Sequence, residues 1–199
     1  MPRRLALAAV CALALPFSVA HAQRPQAPQG PLFAGYLCCN MYTYGTQMGD
    51  GNYREAGTTL VPVGTPAQVT GYEMRFVYTQ VGGKVQRLKN DYSRDIAMAP
   101  FAERYIVKED PKVRIATFEP AIREAILDAK VAQGMTREQV TMAVGWPITS
   151  ENPRLDAKVW RYWTDSWSEY QVAFDDAGKV KTVTGTPAVL EQVLRGRVD

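Results

Sequence analysis

Along this chain the spacing of apolar positions changes about halfway. From Leu32 to about Asp95, apolar and β-branched residues come in short runs with a two-residue period, the spacing of strands with one buried face. Tyr36 to Thr46, Thr59 to Val63, Ala67 to Gly71, Arg75 to Val81 and Lys84 to Leu88 predict five strands. Gly64-Thr65-Pro66, Tyr72-Glu73 and Gly82-Gly83 separate them. A Gly-Gly pair between alternating runs predicts a tight hairpin, because both residues adopt positive φ at little cost. Such a set of short strands predicts a small β-barrel or roll. Phe101 to Pro111 is mixed and charged, and reads as a connector with one helical turn.

Helical spacing then takes over. Pro120 suits a first helical turn, and Ile122, Ile126 and Leu127 share a face, so a helix is predicted over Pro120 to Lys130. After Gly134, Thr136 can cap a helix, Gln139 completes a capping box, and Met135 and Val140 occupy the flanking apolar positions. Gly145 and Pro147 end that helix. Strands follow at Ala157 to Thr164, Glu169 to Phe174 and Lys179 to Thr184, the last two joined by a turn at Asp175-Asp176-Ala177-Gly178. Thr186 and Pro187 open a last short helix striped by Val189, Leu190, Val193 and Leu194.

Two helices precede a three-stranded meander bearing, in order, Gly134-Met135-Thr136, Gln139, Val140, Gly145, Pro147, Trp160, Tyr162, Val172, Phe174, Gly178 and Val180. This set resembles the BamE family, also called SmpA/OmlA, over roughly residues 120 to 185. The resemblance implies an α+β module with helices on one face of the sheet. It also implies a non-catalytic outer-membrane accessory role, supporting the machinery that inserts β-barrel proteins through protein and lipid contacts. The chain departs from the family in lacking a lipid-attachment cysteine motif, in its added N-terminal β module, and in a short Thr164 to Ser168 connection. In the first half, the order of Gly-Thr-Pro, strand, turn, strand, Gly-Gly and strand resembles bacterial SH3-like modules. The expected fold class is therefore α+β, an SH3-like barrel or roll followed by a BamE-like module. The expected division is 1–22 signal peptide, 23–31 leader, 32–98 β module, 99–119 connector and 120–199 α+β module with its C-terminal helix.

Composition changes the picture at the N-terminus. Arg3 and Arg4, an apolar run from Leu5 to Leu15, and Ala20-His21-Ala22 read as a secretory signal peptide, with a retained membrane anchor as the alternative. The 23–31 stretch, QRPQAPQGP, has no large apolar residue and reads as a flexible leader. Removing 22 of the 199 residues leaves 177, lowers the formal charge of +3 by two to +1, and takes away Cys11 and the single histidine. Without histidine, Ser-His-Asp and Cys-His catalysis and imidazole zinc sites are excluded. A nearly balanced charge argues against nucleic acid, which calls for a basic face. No later run has the roughly 20 apolar residues of a spanning helix. The expectation is a periplasmic protein, free or held at the outer membrane, that is not an enzyme and uses no cofactor.

Candidate chemistry is correspondingly sparse. Trp146, Trp163 and Trp167 are the candidates for an aromatic partner surface, with core packing as the competing reading; Trp160 and Tyr162 are assigned to the core. Cys38 and Cys39 are adjacent, which leaves open a ring disulfide between them, a bond between chains, or two thiols. Asp175-Asp176 and the Asp91, Arg94, Asp95 group are the densest acidic spots, and their turn context argues for solvated turn residues over a carboxylate pair. The polar run Asn90 to Asp95 is not explained by spacing and is expected to link the modules or line a groove. Envelope proteins, the barrel-assembly machinery among them, are the expected partners. The alternatives are peptidoglycan, gripped by the SH3-like module, and a periplasmic enzyme inhibited by the protein.

Overall fold

The computed structural model describes residues 31–196; the expected signal peptide and almost all of the expected leader lie outside the described residues. The N-terminal part is a curled eight-stranded sheet. Its strands are β1 (Phe33–Leu37), β2 (Met41–Tyr44), β3 (Gln47–Gly49), β4 (Thr59–Val61), β5 (Pro66–Glu73), β6 (Phe76–Val81), β7 (Lys84–Lys89) and β8 (Ile106–Val107). They lie in the order β4-β2-β3-β7-β6-β5-β1-β8, antiparallel throughout except for the parallel β3–β7 pair. The Gly82-Gly83 hairpin forms as the spacing predicts, pairing Val81 with Lys84 at φ of +57° and +76°.

Several local expectations need correction. The single strand predicted over Tyr36 to Thr46 breaks at Cys38 to Asn40 into β1 and β2, and with β3 and β8 the expected five strands become eight. Tyr72-Glu73 is no turn: β5 runs through Glu73, a register shift between Val69 and Gly71 re-aims it, and the chain reverses at Met74-Arg75, with Met74 at φ +49°. The expected connector carries more than one helical turn. It holds α1 (Met98–Tyr105), strand β8 and a short α2 (Pro111–Ile115). Phe101 and Tyr105, four residues apart, share with Ala102 a face that packs against the sheet.

The C-terminal part follows its local grammar closely. Helix α3 (Pro120–Leu127) opens on its proline, and α4 (Arg137–Val144) has the full Thr136–Gln139 capping box. Strands β9 (Val159–Trp163), β10 (Glu169–Phe174) and β11 (Val180–Gly185) form an antiparallel meander in the order β11-β10-β9. Helix α5 (Pro187–Val193) is capped by Thr186 and buries Val189, Leu190 and Val193. It therefore packs onto its own chain. On the inner sheet face the Trp160 and Phe174 rings meet edge-on at 5.0 Å, and Tyr162 stacks on Tyr170 at 5.3 Å. Burial of side chains this large contributes on the order of 2–3 kcal/mol each.

The cores of the two parts exchange residues. Val63, beside β4, is fully buried in the C-terminal cluster, while Trp146, after α4, packs on the N-terminal one. Two buried asparagines join them. Asn40 Nδ2 donates to the carbonyls of Ile126 (2.6 Å) and Ala143 (3.1 Å), and its Oδ1 accepts from Val63 N (2.9 Å). Asn52 Nδ2 donates to Asn40 O (3.0 Å) and Val144 O (2.9 Å), and its Oδ1 accepts from Tyr42 N (2.7 Å). The ends of α3 and α4 expose carbonyls that lack intrahelical partners. Two side chains from the loops flanking β2 and β3 supply donors to the carbonyls of Ile126, Ala143 and Val144.

Candidate functional site

Two features bring candidate residues to the surface. The first is the outer face of the three-stranded sheet. With α3, α4 and α5 on the inner side, the alternation of β9 turns Val159, Arg161 and Trp163 outward while burying Trp160 and Tyr162. Arg161 pairs there with Glu151 (2.9 Å) and Glu169 (3.2 Å), and Trp163 lies half-exposed opposite Glu169. Trp167 stands on the turn to β10 and is 91% exposed. The turn itself is well tied: Trp167 N donates to Asp165 Oδ1 at 2.7 Å, and Thr164 N donates to Ser168 O at 2.9 Å. The Trp167 N–H, with help from Ser168, holds the Asp165 carboxyl below its ordinary value.

The second feature is an open cleft of about 1160 Å³ where the two parts meet. Its apolar lining includes Cys38, Val113, Met142, Trp146 and Leu155. Trp146 is half-buried; its indole Nε1 donates to Arg104 O at 2.9 Å, and the Arg104 guanidinium lies 5.4 Å from the ring centroid. Cys38 and Cys39 are joined to each other by a disulfide, in the bend between β1 and β2, and Cys39 is fully buried. The structure thus separates the three tryptophan candidates: Trp163 and Trp167 belong to the sheet face, and Trp146 to the cleft.

The acidic candidates are occupied by their own turns. Asp175 Oδ1 accepts from Lys179 N at 2.9 Å across a turn closed by Gly178 at φ +74°, and Asp176 pairs with Lys158 at 2.7 Å. Asp91 pairs with Arg75 (2.9 Å) and Lys89 (2.8 Å). The run Asn90 to Asp95 links the two parts: Thr149 N donates to Ser93 Oγ, Ser150 N to Tyr92 O, and Thr149 Oγ1 to Asp95. Its organiser is Asp50, a residue that spacing did not single out. The buried Asp50 carboxylate accepts from the backbone N–H groups of Asp91, Tyr92 and Ser93 at 2.8 to 3.3 Å. Burial pushes its pKa up, and those N–H groups pull it back. Among the described residues no group of three or more His, Cys, Asp or Glu is placed to hold a metal ion, and no helix is long and apolar enough to cross a membrane.

Comparison with protein-family models, curated protein sequences and solved structures finds no match to this chain.

Proposed function

We propose that the protein is a non-catalytic binding protein of the bacterial cell envelope that engages another envelope protein through the outer face of its three-stranded sheet. The observation that carries this reading is Trp167. An indole exposed over 91% of its surface leaves a large apolar area in water, and a well-tied turn presents it beside the half-exposed Trp163. Tryptophan is the residue type most enriched where binding energy concentrates at protein interfaces. A prepaid turn geometry also lowers the entropy lost on docking. The element order of two helices and a meander, with the motif residues in sequence, supports a BamE-like module. The barrel-assembly machinery is therefore the first partner to seek, in the periplasm at the outer membrane.

The same exposed aromatics favour one second reading, an inhibitor that covers a periplasmic enzyme with this sheet face. A crosslinked pull-down from native envelopes, comparing the parent protein with Trp167→Ala, tests both. Trp167 makes no buried contact, so the substitution should change stability by less than about 0.5 kcal/mol. Loss of barrel-assembly components from the Trp167→Ala sample supports the first reading, and loss of a single enzyme supports the second. Equal recovery of the same partners by both proteins refutes the assignment of this face.

A further inference from the structure

We propose that the cleft between the two parts binds a single-chain anionic amphiphile: one apolar chain ending in a carboxylate or phosphate. Shape and lining come first. The cleft holds about 1160 Å³, ample beside the roughly 300–1,000 Å³ of small-molecule sites. Val113, which lines the cleft together with Met142, Trp146 and Leu155, is 72% exposed. An alkyl chain laid along these groups would remove apolar surface from water on both sides.

Charge selects the end group. Three arginines and three acids border the cleft, so pairing decides the balance. Glu138 is engaged by Arg114 at 3.4 Å, and Asp110 Oδ1 turns to the backbone N of Lys112 at the start of α2. Glu109 is left on the solvent side of the rim. Among the described residues neither Arg104 nor Arg137 pairs with a carboxylate. Both lie over aromatic rings, Arg104 on Trp146 and Arg137 on Phe174 at 4.3 Å. Arg137 Nη2 reaches the Ala157 carbonyl at 2.8 Å, but its buried Nε has no acceptor. Arg137 thus stands in the wall with no carboxylate partner and one unused donor. Arg104, partly exposed in the lining with its guanidinium over the indole, is the group that can meet an incoming anion directly. A cation seated on an aromatic face beside an apolar trough matches a ligand with a negative head and a hydrocarbon body.

Calorimetric titration of the full chain with dodecanoate, dodecyl phosphate and dodecyltrimethylammonium, each below its micelle concentration, tests this. The anionic chains should bind once per protein, and the cationic chain at least about tenfold more weakly, the value of one charge-assisted contact. Preference for the carboxylate points to a free fatty acid, and preference for the phosphate to a lysophospholipid; either supports the proposal. Arg104→Gln should weaken the anions by about tenfold. Because Val113 is exposed, Val113→Glu leaves folding intact and should weaken them as well, by placing a like charge in the trough. No heat with any anionic chain overturns the proposal. So does equal affinity for anionic and cationic chains, or affinity unchanged in Val113→Glu.

Discussion

Replacing Asn40 by alanine probes the joint between the two parts most directly. The Asn40 side chain is 1% exposed and makes three hydrogen bonds, two to helix-end carbonyls and one from Val63 N. They are not equal. Ile126 O also accepts from Ala129 N at 3.0 Å, so it keeps a partner when the amide goes. Val63 N–H keeps none, and a stranded buried donor costs about 1–3 kcal/mol. With roughly 1 kcal/mol for the bond to Ala143 O and less for that to Ile126 O, the expected loss is about 3 kcal/mol. Urea unfolding followed by tryptophan fluorescence measures it, since Trp160 reports on one core and Trp146 on the other. A loss below about 1 kcal/mol would refute the reasoning, because it would mean the three bonds are readily replaced. Asn40→Asp sharpens the test. Its carboxylate would face two carbonyl oxygens, so its folded pKa should rise above the unfolded value of about 3.9. A raised carboxyl pKa contributes stability that is present below the unfolded pKa and lost as pH rises through the folded one. Asn40→Asp should therefore be closer to the parent at pH 4 than at pH 7.

Two further predictions concern neighbouring sites. Asp50→Asn keeps one acceptor oxygen but sets an amide N–H against backbone donors, so a stability loss of about 1–3 kcal/mol is expected. Because burial raises the folded pKa of Asp50 above its ordinary 3.8, the parent gains stability as pH falls through the folded pKa towards that value. The deficit of the pH-insensitive Asn variant, measured by urea unfolding across this window, should widen on acidification; a deficit that narrows contradicts the raised pKa. Gly145→Ala meets a backbone at φ 91°, ψ 175°, a region essentially confined to glycine, with a new Cβ 3.1 Å from Asn52 Nδ2. About 1–3 kcal/mol should be lost, and a calorimetric Tm that does not move would exclude strain at this position.

How far the fold could be read in advance follows from the range of the interactions that set it. Helix α4 was legible because its cap, box and stop lie within ten residues and depend on backbone geometry alone. The Gly82-Gly83 hairpin and the β10–β11 turn were legible for the same reason. Helix α1 was missed because Pro100, Glu103 and Arg104 mask the four-residue spacing of Phe101 and Tyr105, and because that face is fixed by a sheet distant in sequence. Strand β8 is two residues long and exists only by pairing with β1. At the surface, the alternation along β9 sorted Trp160 and Tyr162 from Trp163. The exposure of Trp167 needed the turn. Neither the cleft nor Asp50 left a local trace: Arg104 and Trp146 are 42 residues apart, as are Asp50 and Tyr92. A buried polar residue carries no periodic signature until its partners are known.

The long reach of Asn40 also has a bearing on the order in which the chain is made. Its acceptors at Ile126 and Ala143 lie 86 and 103 residues downstream, and Asn52 reaches 92 residues to Val144. At roughly 5–20 residues per second, a growing chain leaves these amides without their helix-end acceptors for about 5–20 s. The early strands can pair among themselves in that time, yet the socket for α3 and α4 stays wet, and closing so wide a loop comes late and at an entropic cost. A nascent chain halted before Val144 should therefore remain open to proteases at the sheet's inner edge. The last third of synthesis completes the first.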